Sequence, residues 1–271
     1  MESSDTSIAH QMPPGQLTQC CAAVYESDIA RLLLGASFHP GGAETTQRLG
    51  RLMGLNASSH LLDIACGKGD SALVLAETFG ARVTGIDASA KNVSEARAAA
   101  HEQGWENRLE FRVGDASSLR FADASVDAII CECAFCLFPD KNAAAREFAR
   151  VLKPGGVFGL SDLTRDGAVP SDLEGLLAWI ACVADARPIG AYRDCLVAAG
   201  FKIGAVESAN EALSELVRQI RLRLLSAEVM VGLKRITLPG FDFDAAKRFS
   251  KAALMAIERG QLGYVLMTAS R

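Results

Sequence analysis

Residues 61–70 read LLDIACGKGD. A short apolar run carries Asp63 near its end. Gly67 and Gly69 follow, and the next residues, DSALVLAETFG, repeat their apolar positions at helical spacing. A buried strand that passes through a glycine turn into a helix lets a ligand approach the backbone closely, because a residue without a Cβ leaves room and tolerates unusual dihedrals. A single turn of this kind is weak evidence for a nucleotide-like ligand. No Lys-Ser/Thr pair completes a phosphate-binding loop.

Outward from this turn the same alternation continues. HLLDIAC (60–66), ARVTGID (81–87), LEFRVGD (109–115), VDAIICE (126–132) and GVFGLSD (156–162) read as strands. Helical patterns separate them, in DSALVLAETFG, SAKNVSEARAAAHEQG and KNAAAREFARVLKPGG, the last closing on a Pro-Gly-Gly stop. This is the sequence form of a doubly wound α/β domain with a Rossmann-like sheet. Beyond residue 165 the chain turns mainly helical, through SDLEGLLAWIACVADA, IGAYRDCLVAAG, NEALSELVRQIRLRLLSAEVMVGLKR and DFDAAKRFSKAALMAIERG. Two further strands are expected, FKIGAVES (201–208) and LGYVLMTAS (262–270). The expected organisation is a tail over 1–18, an N-terminal helical cover over 19–59, and an α/β domain over 60–271. A helical insertion at about 209–260 separates its last two strands.

Composition narrows the partners. The 271 residues include 28 basic and 32 acidic side chains, a net charge of -4, which offers no electrostatic footprint for nucleic acid or an acidic membrane. No run approaches the roughly 20 apolar residues that span a bilayer, and residues 1–18 lack the basic start and apolar core of an export signal. A cytoplasmic protein with a small-molecule partner is expected. Eight cysteines in such a chain are expected to be free thiols.

Asp87 closes the second expected strand and Asp115 the third, so Asp63, Asp87 and Asp115 gather at one carboxyl edge of a parallel sheet. An acid after the second strand suits ribose hydroxyls, and one after the third suits an adenine amino group. With LLDIACGKGD, VTGIDAS, FRVGDASSLRFADASVDAII and FARVLKPGGVFGLSD in place, residues 45–208 resemble the class I S-adenosylmethionine-dependent methyltransferases. The resemblance implies a seven-stranded sheet with its last strand antiparallel and S-adenosyl-L-methionine across the carboxyl ends of the first four strands. By motif, Asp63, Ala65, Gly67 and Gly69 would border the methionine portion, Asp87 and Ala88 the ribose, Asp115 and Ala116 the adenine, and Cys131 would lie beside the cofactor. Ala65 departs from the family's glycine triplet.

The fourth expected strand runs into ICECAFCLFPDK (130–141), which crowds Cys131, Cys133 and Cys136. Strand alternation places Cys131 and Cys133 on one face and Cys136 beyond the strand end. CAFCLFPDK is similar to the CVINLxPDK segment of arsenite methyltransferases, with Cys133 at the cysteine position. LLAWIACVADARPIGAYRDCLVAAGF is similar to the segment holding another arsenic-binding cysteine, here Cys182. The resemblance implies trivalent arsenic as a thiolate-bound substrate on Cys133 and Cys182, with Cys20 or Cys21 as third ligand and a thiol reductant as a further partner. Arsenic is a soft centre that prefers thiolates, and its lone pair needs no general base. None of His10, His39, His60 and His101 stands in a segment that marks an oxygen-methylating base. Tyr25 could shield the methyl group.

Each cysteine also has a plainer reading, as a small buried apolar residue, and Cys66 and Cys195 are read that way. A zinc site on Cys-x-Cys-x-x-Cys does not have the usual paired Cys-x-x-Cys knuckles. Two other functions stay open: a methyltransferase for a small organic acceptor (quinone, amine or natural product), and a non-catalytic cofactor-binding thiol or metalloid sensor.

Overall fold

The computed structural model describes residues 39–168, 170–173 and 182–271. The expected tail, most of the N-terminal cover, Cys20, Cys21, Tyr25 and most of the expected helix in SDLEGLLAWIACVADA lie outside the described residues.

Each of the seven expected strands forms. They are β1 (His60–Ile64), β2 (Arg82–Asp87), β3 (Leu109–Val113), β4 (Val126–Glu132), β5 (Leu152–Arg165), β6 (Lys202–Ser208) and β7 (Leu262–Ser270). The described helices are α1 (Gly42–Leu52), α2 (Asp70–Phe79), α3 (Ala90–Glu102), α4 (Lys141–Val151), α5 (Ile189–Ala198), α6 (Asn210–Gly232) and α7 (Phe243–Glu258). One sheet holds all seven strands in the order β3-β2-β1-β4-β5-β7-β6. Strands β1 to β5 pair in parallel, and β7 runs antiparallel to β5 and β6. The order reverses between β1 and β4, and in an open parallel sheet the crevice at such a reversal is where ligands bind. Helices α6 and α7 pack on each other between β6 and β7, as the expected insertion requires.

The sequence reading errs at the start of β5. The Pro-Gly-Gly of residues 154–156 does not separate helix from strand: α4 ends at Val151 and pairing begins at once, Val126 opposite Leu152, with a register shift before Ala128 opposite Val157. Gly155, at φ +79°, takes up the irregularity.

Helix starts follow local chemistry. Ser89 accepts from the Asn92 N–H at 3.1 Å, Asp140 from Ala143 at 2.8 Å and Asp242 from Ala245 at 2.8 Å, each satisfying a first-turn donor. Helices α1 and α2 instead begin after left-handed glycines, with no side-chain cap.

The two faces of β5 show how the layers meet. On one, α1 comes so close that a Cβ at Gly159 would stand 2.3 Å from Met53 Sδ. On the other, Phe158 meets Phe148 of α4 at 5.3 Å between ring centroids. Phe135, just past β4, is fully buried against Phe138, Phe148, Phe158 and Tyr192 at 5.6–6.3 Å. A ring that joins the sheet to two helices leaves a large void when removed. Phe135→Ala is therefore expected to destabilise the protein by about 3–5 kcal/mol, read as a lower urea midpoint at unchanged slope.

Candidate active site at the carboxyl edge of the sheet

The glycine turn after β1 is built from left-handed residues: Ala65 at φ +58°, Gly67 at +53° and Gly69 at +87°. Ala65 thus holds a glycine-like conformation despite its Cβ, at a cost of roughly 1 kcal/mol. Gly69 cannot carry a side chain, because a Cβ there would lie 2.7 Å from the Phe111 ring. At Gly67 the space is open, with nothing within 4 Å of the point a Cβ would occupy. Asp87, the last residue of β2, ties the turn down. Its Oδ2 accepts the Gly67 N–H at 2.8 Å and its Oδ1 the Ser89 N–H at 2.8 Å. Its partly exposed carboxylate also faces the edge, next to the exposed Ala88. Asp115 sits two residues past the end of β3 and is exposed. Its Oδ1 accepts both the N–H and the O–H of Ser117, at 2.8 and 2.7 Å, and Ala116 follows, half-buried.

Asp63 stands near the end of β1 as expected but is buried, not open to the edge: it is only 2% exposed, and among the described residues its Oδ2 has no hydrogen-bond partner. Burial first, then the Glu132 and Asp87 carboxylates, push its carboxyl well above the usual range. Cys131 also differs, its thiol being sealed in the core at 0% exposure. Burial, Asp162 and Asp63 hold that thiol in its protonated form.

At the end of β4 stands a residue that the sequence did not mark. The Glu132 side chain, 4% exposed, accepts from Thr46 Oγ1 at 3.0 Å and from Ser161 Oγ at 3.2 Å, and lies 3.7 Å from His39 Nε2. Ser161 Oγ in turn accepts from Tyr264 Oη at 2.9 Å. His39 Nε2 also lies 3.4 Å from Ser71 Oγ, in the first turn of α2, while its buried Nδ1 has no partner among the described residues. These residues come from separate places in the chain and share no motif.

On the opposite side of β4 the thiols gather. Cys133 leaves the strand at φ +51°, Cys182 sits at φ +60°, and the Cys182 thiol lies 3.6 Å from the Cys133 carbonyl oxygen. The neighbouring Cys182 thiol, then burial, raise the Cys133 thiol well above an ordinary one. Cys136, expected beyond the strand end, also neighbours Cys182. The reason is a short 3-10 turn over Phe135–Leu137, which folds the chain back after β4. The Cys136 N–H donates to Asp162 Oδ2 at 2.8 Å. Among the described residues no group of three or more His, Cys, Asp or Glu is arranged to hold a metal ion, so the zinc reading finds no site there, while the third thiolate of the arsenic reading, Cys20 or Cys21, lies outside the described residues.

The edge therefore holds buried carboxylates that repel one another, one oxygen without a partner, an uncapped helix start and an open glycine turn. A ligand carrying cationic groups next to a carboxylate, as the methionine part of S-adenosylmethionine does, supplies what is missing.

A family model described as a methyltransferase domain matches residues 62–160. The chain is 31% identical over 255 residues to 27-O-demethylrifamycin SV methyltransferase of Amycolatopsis mediterranei, spanning 87% of this chain and 86% of that one. The chain belongs to the S-adenosylmethionine-dependent methyltransferases. It is also 28% identical over 230 residues to methyltransferase GfsG of Streptomyces halstedii, covering 85% of this chain and 80% of the other. The architecture matches the [4+2]-cyclase SpnF at TM-score 0.74 and 23% identity, over 96% and 97% of the two chains. S-adenosylmethionine is the cofactor of this methyltransferase, and no helix among the described residues is long and apolar enough to cross a membrane.

Two outcomes are expected. If Asp87 holds the ribose, as the resemblance implies, removing its carboxylate costs a charged acceptor worth about 1.5–3 kcal/mol, so calorimetry on Asp87→Ala should show cofactor affinity lower by about tenfold to a hundredfold. The second concerns pH. Burial, with the Cys182 thiol beside it, pushes the Asp162 carboxyl up to about 7. An unfolded carboxyl titrates near 4. Between about 4 and about 7 the folded protein keeps a proton that the unfolded chain has lost, so stability falls as pH rises, by on the order of 1 kcal/mol per unit. Urea midpoints across that range should decline in the cofactor-free protein, and less steeply in Asp162→Asn.

Proposed function

We propose that the protein transfers the methyl group of S-adenosylmethionine to a small organic acceptor, through a hydroxyl of that acceptor. The supporting observation is a cavity of about 1000 Å³ between the start of α1 and α6, with His39 in its wall and Glu44, Thr45, Arg48, Asn210 and Gln219 among its lining residues. Sites of about 300–1,000 Å³ suit organic ligands of tens of atoms, far more room than an arsenite ion needs. The polar lining suits an acceptor rich in hydroxyl groups. The name of the Amycolatopsis relative, which specifies O-methylation of a natural product, points the same way.

The cofactor supplies an electrophilic methyl group on a sulfonium. In this reading Gly67 and Gly69 admit the methionine portion, Asp63 and Glu132 offset its positive charge, Asp87 holds the ribose, and Asp115 with Ala116 borders the adenine. His39 receives the proton that the acceptor hydroxyl gives up, and the Glu132 carboxylate, 3.7 Å away, stabilises the imidazolium that results. The proton stays paired with a fixed negative group, so no charge is stranded in the interior.

A second reading, methylation of trivalent arsenic on cysteine thiolates, has one observation in its favour. Cys133 and Cys182 do meet. Its third ligand, Cys20 or Cys21, lies outside the described residues.

Release of S-adenosylhomocysteine with hydroxylated natural products, quinols, amines and arsenite as acceptors separates the readings. Turnover is expected with hydroxylated acceptors, and His39→Ala should lower it by about a hundredfold or more while cofactor affinity stays within about twofold. Turnover confined to arsenite, and lost in Cys133→Ser with Cys182→Ser, would replace the first reading by the second. No turnover with any acceptor, cofactor binding intact, would favour a sensor.

A further inference from the structure

The thiols of Cys133 and Cys182 have no task in the transfer of a methyl group to a hydroxyl, yet their arrangement is specific. Both residues hold left-handed backbone conformations, at φ +51° and +60°. Such positions cost a residue with a Cβ of order 1 kcal/mol or more, and persist only where surrounding structure enforces them. What enforces them here is visible. The Cys133 N–H donates to the Ser161 carbonyl at 2.7 Å, which carries the β4–β5 pairing one residue further and fixes the Cys133 backbone. The Cys182 thiol packs against the Cys133 carbonyl at 3.6 Å, which places the two thiols as neighbours. The two thiols are therefore held together by main-chain contacts, although the residues lie 49 positions apart along the chain.

Their exposure is unequal. Cys133 is part-exposed, whereas Cys182 is 1% exposed and Cys136, on its far side, is fully buried. Of the pair, Cys133 is the residue with surface open to solvent among the described residues, which favours it as the thiol a soluble reagent meets first.

We propose that Cys133 and Cys182 form a reversible disulfide at the carboxyl end of β4, with Cys133 the thiol attacked by a hydroperoxide and Cys182 the thiol that resolves it. In the first step the Cys133 sulfur attacks the outer peroxide oxygen. The O–O bond breaks, Cys133 becomes a sulfenic acid, and the peroxide leaves as its alcohol, or as water from hydrogen peroxide. In the second step the Cys182 sulfur attacks the Cys133 sulfur, the S–OH bond breaks, and the hydroxyl leaves with the Cys182 proton as water. The two thiols lose two electrons, which the peroxide gains.

The linkage would tie residue 182, just ahead of α5, to the residue that follows Glu132, so oxidation would reach the edge where the cofactor binds. Because contact with Cys182 and burial hold the Cys133 thiol in its protonated form, the attacking thiolate is scarce at neutral pH, and oxidation speeds up as pH rises. The disulfide forms whichever acceptor is methylated.

The test is peptide mapping of the full-length protein after exposure to hydrogen peroxide at pH 7 and pH 9. The expected product joins the Cys133 and Cys182 peptides, forms at least fivefold faster at pH 9, and is reversed by dithiothreitol. In Cys182→Ser the reaction should stop at a sulfenic acid on Cys133, trapped by dimedone. In Cys133→Ser the Cys182 thiol should stay reduced. A linkage of Cys182 to Cys136, first oxidation at Cys182, or both thiols remaining free after Cys66 and Cys195 have reacted would each overturn the proposal. Thermal unfolding of both serine variants, expected within a few degrees of the parent, separates these outcomes from misfolding.

Discussion

A carboxylate buried at the end of β4 governs how the elements around the site must sit. A carboxyl side chain out of water needs polar partners around it, and the chain supplies them to Glu132 from separate elements: Thr46 from α1, Ser161 from β5 and His39 from just ahead of α1. Tyr264 of β7 completes the network through Ser161. Helix α1 and the antiparallel strand β7 are thus bound to the sheet by polar contacts at the site as well as by packing around Gly159. A shift of α1 would both open the core beside Met53 and strand a buried charge.

The same edge carries charge on both sides of β4 for different ends. On the α1 side, Asp63 and Glu132 repel each other without a fixed cation between them, an arrangement that favours a cationic ligand. On the other side, Asp162 lies among protonated thiols, and its carboxyl is held near neutrality by burial and softened by the Cys136 N–H. One strand therefore separates a polar, ligand-directed half from a half dominated by sulfur. In the proposed function the first half serves methyl transfer, and the proposed disulfide belongs to the second.

Much of this was legible along the chain. Apolar runs of strand length located β1 to β4, and the acid that closes β2, Asp87, proved to be the one that pins the glycine turn. Glycine spacing located the turn, although Ala65 takes its left-handed place without being glycine. The errors have local causes. Asp63 was expected at an open edge because it stands near the end of its strand, but its side chain is buried beside Glu132. Cys136 looked remote because strand alternation was extended past the strand, whereas the 3-10 turn at Phe135 reverses the direction of the chain. His39 was set aside because nothing adjacent to it in sequence marks a base.

Hydrophobic periodicity and turn chemistry act over a few residues, so the sequence by itself determined the strands, most described helices, the glycine turn and the acids at the sheet edge. Which side chains meet across that edge is decided by register and by helix placement, both long-range. The pairing of Glu132 opposite Ser161 and the approach of α1 over Gly159 bring His39 to Glu132. The turn after β4 brings Cys133 to Cys182. Such contacts join residues separated by dozens of positions, and no local pattern records them, because the energy that selects them is the cost of leaving a buried polar group without a partner anywhere in the folded chain.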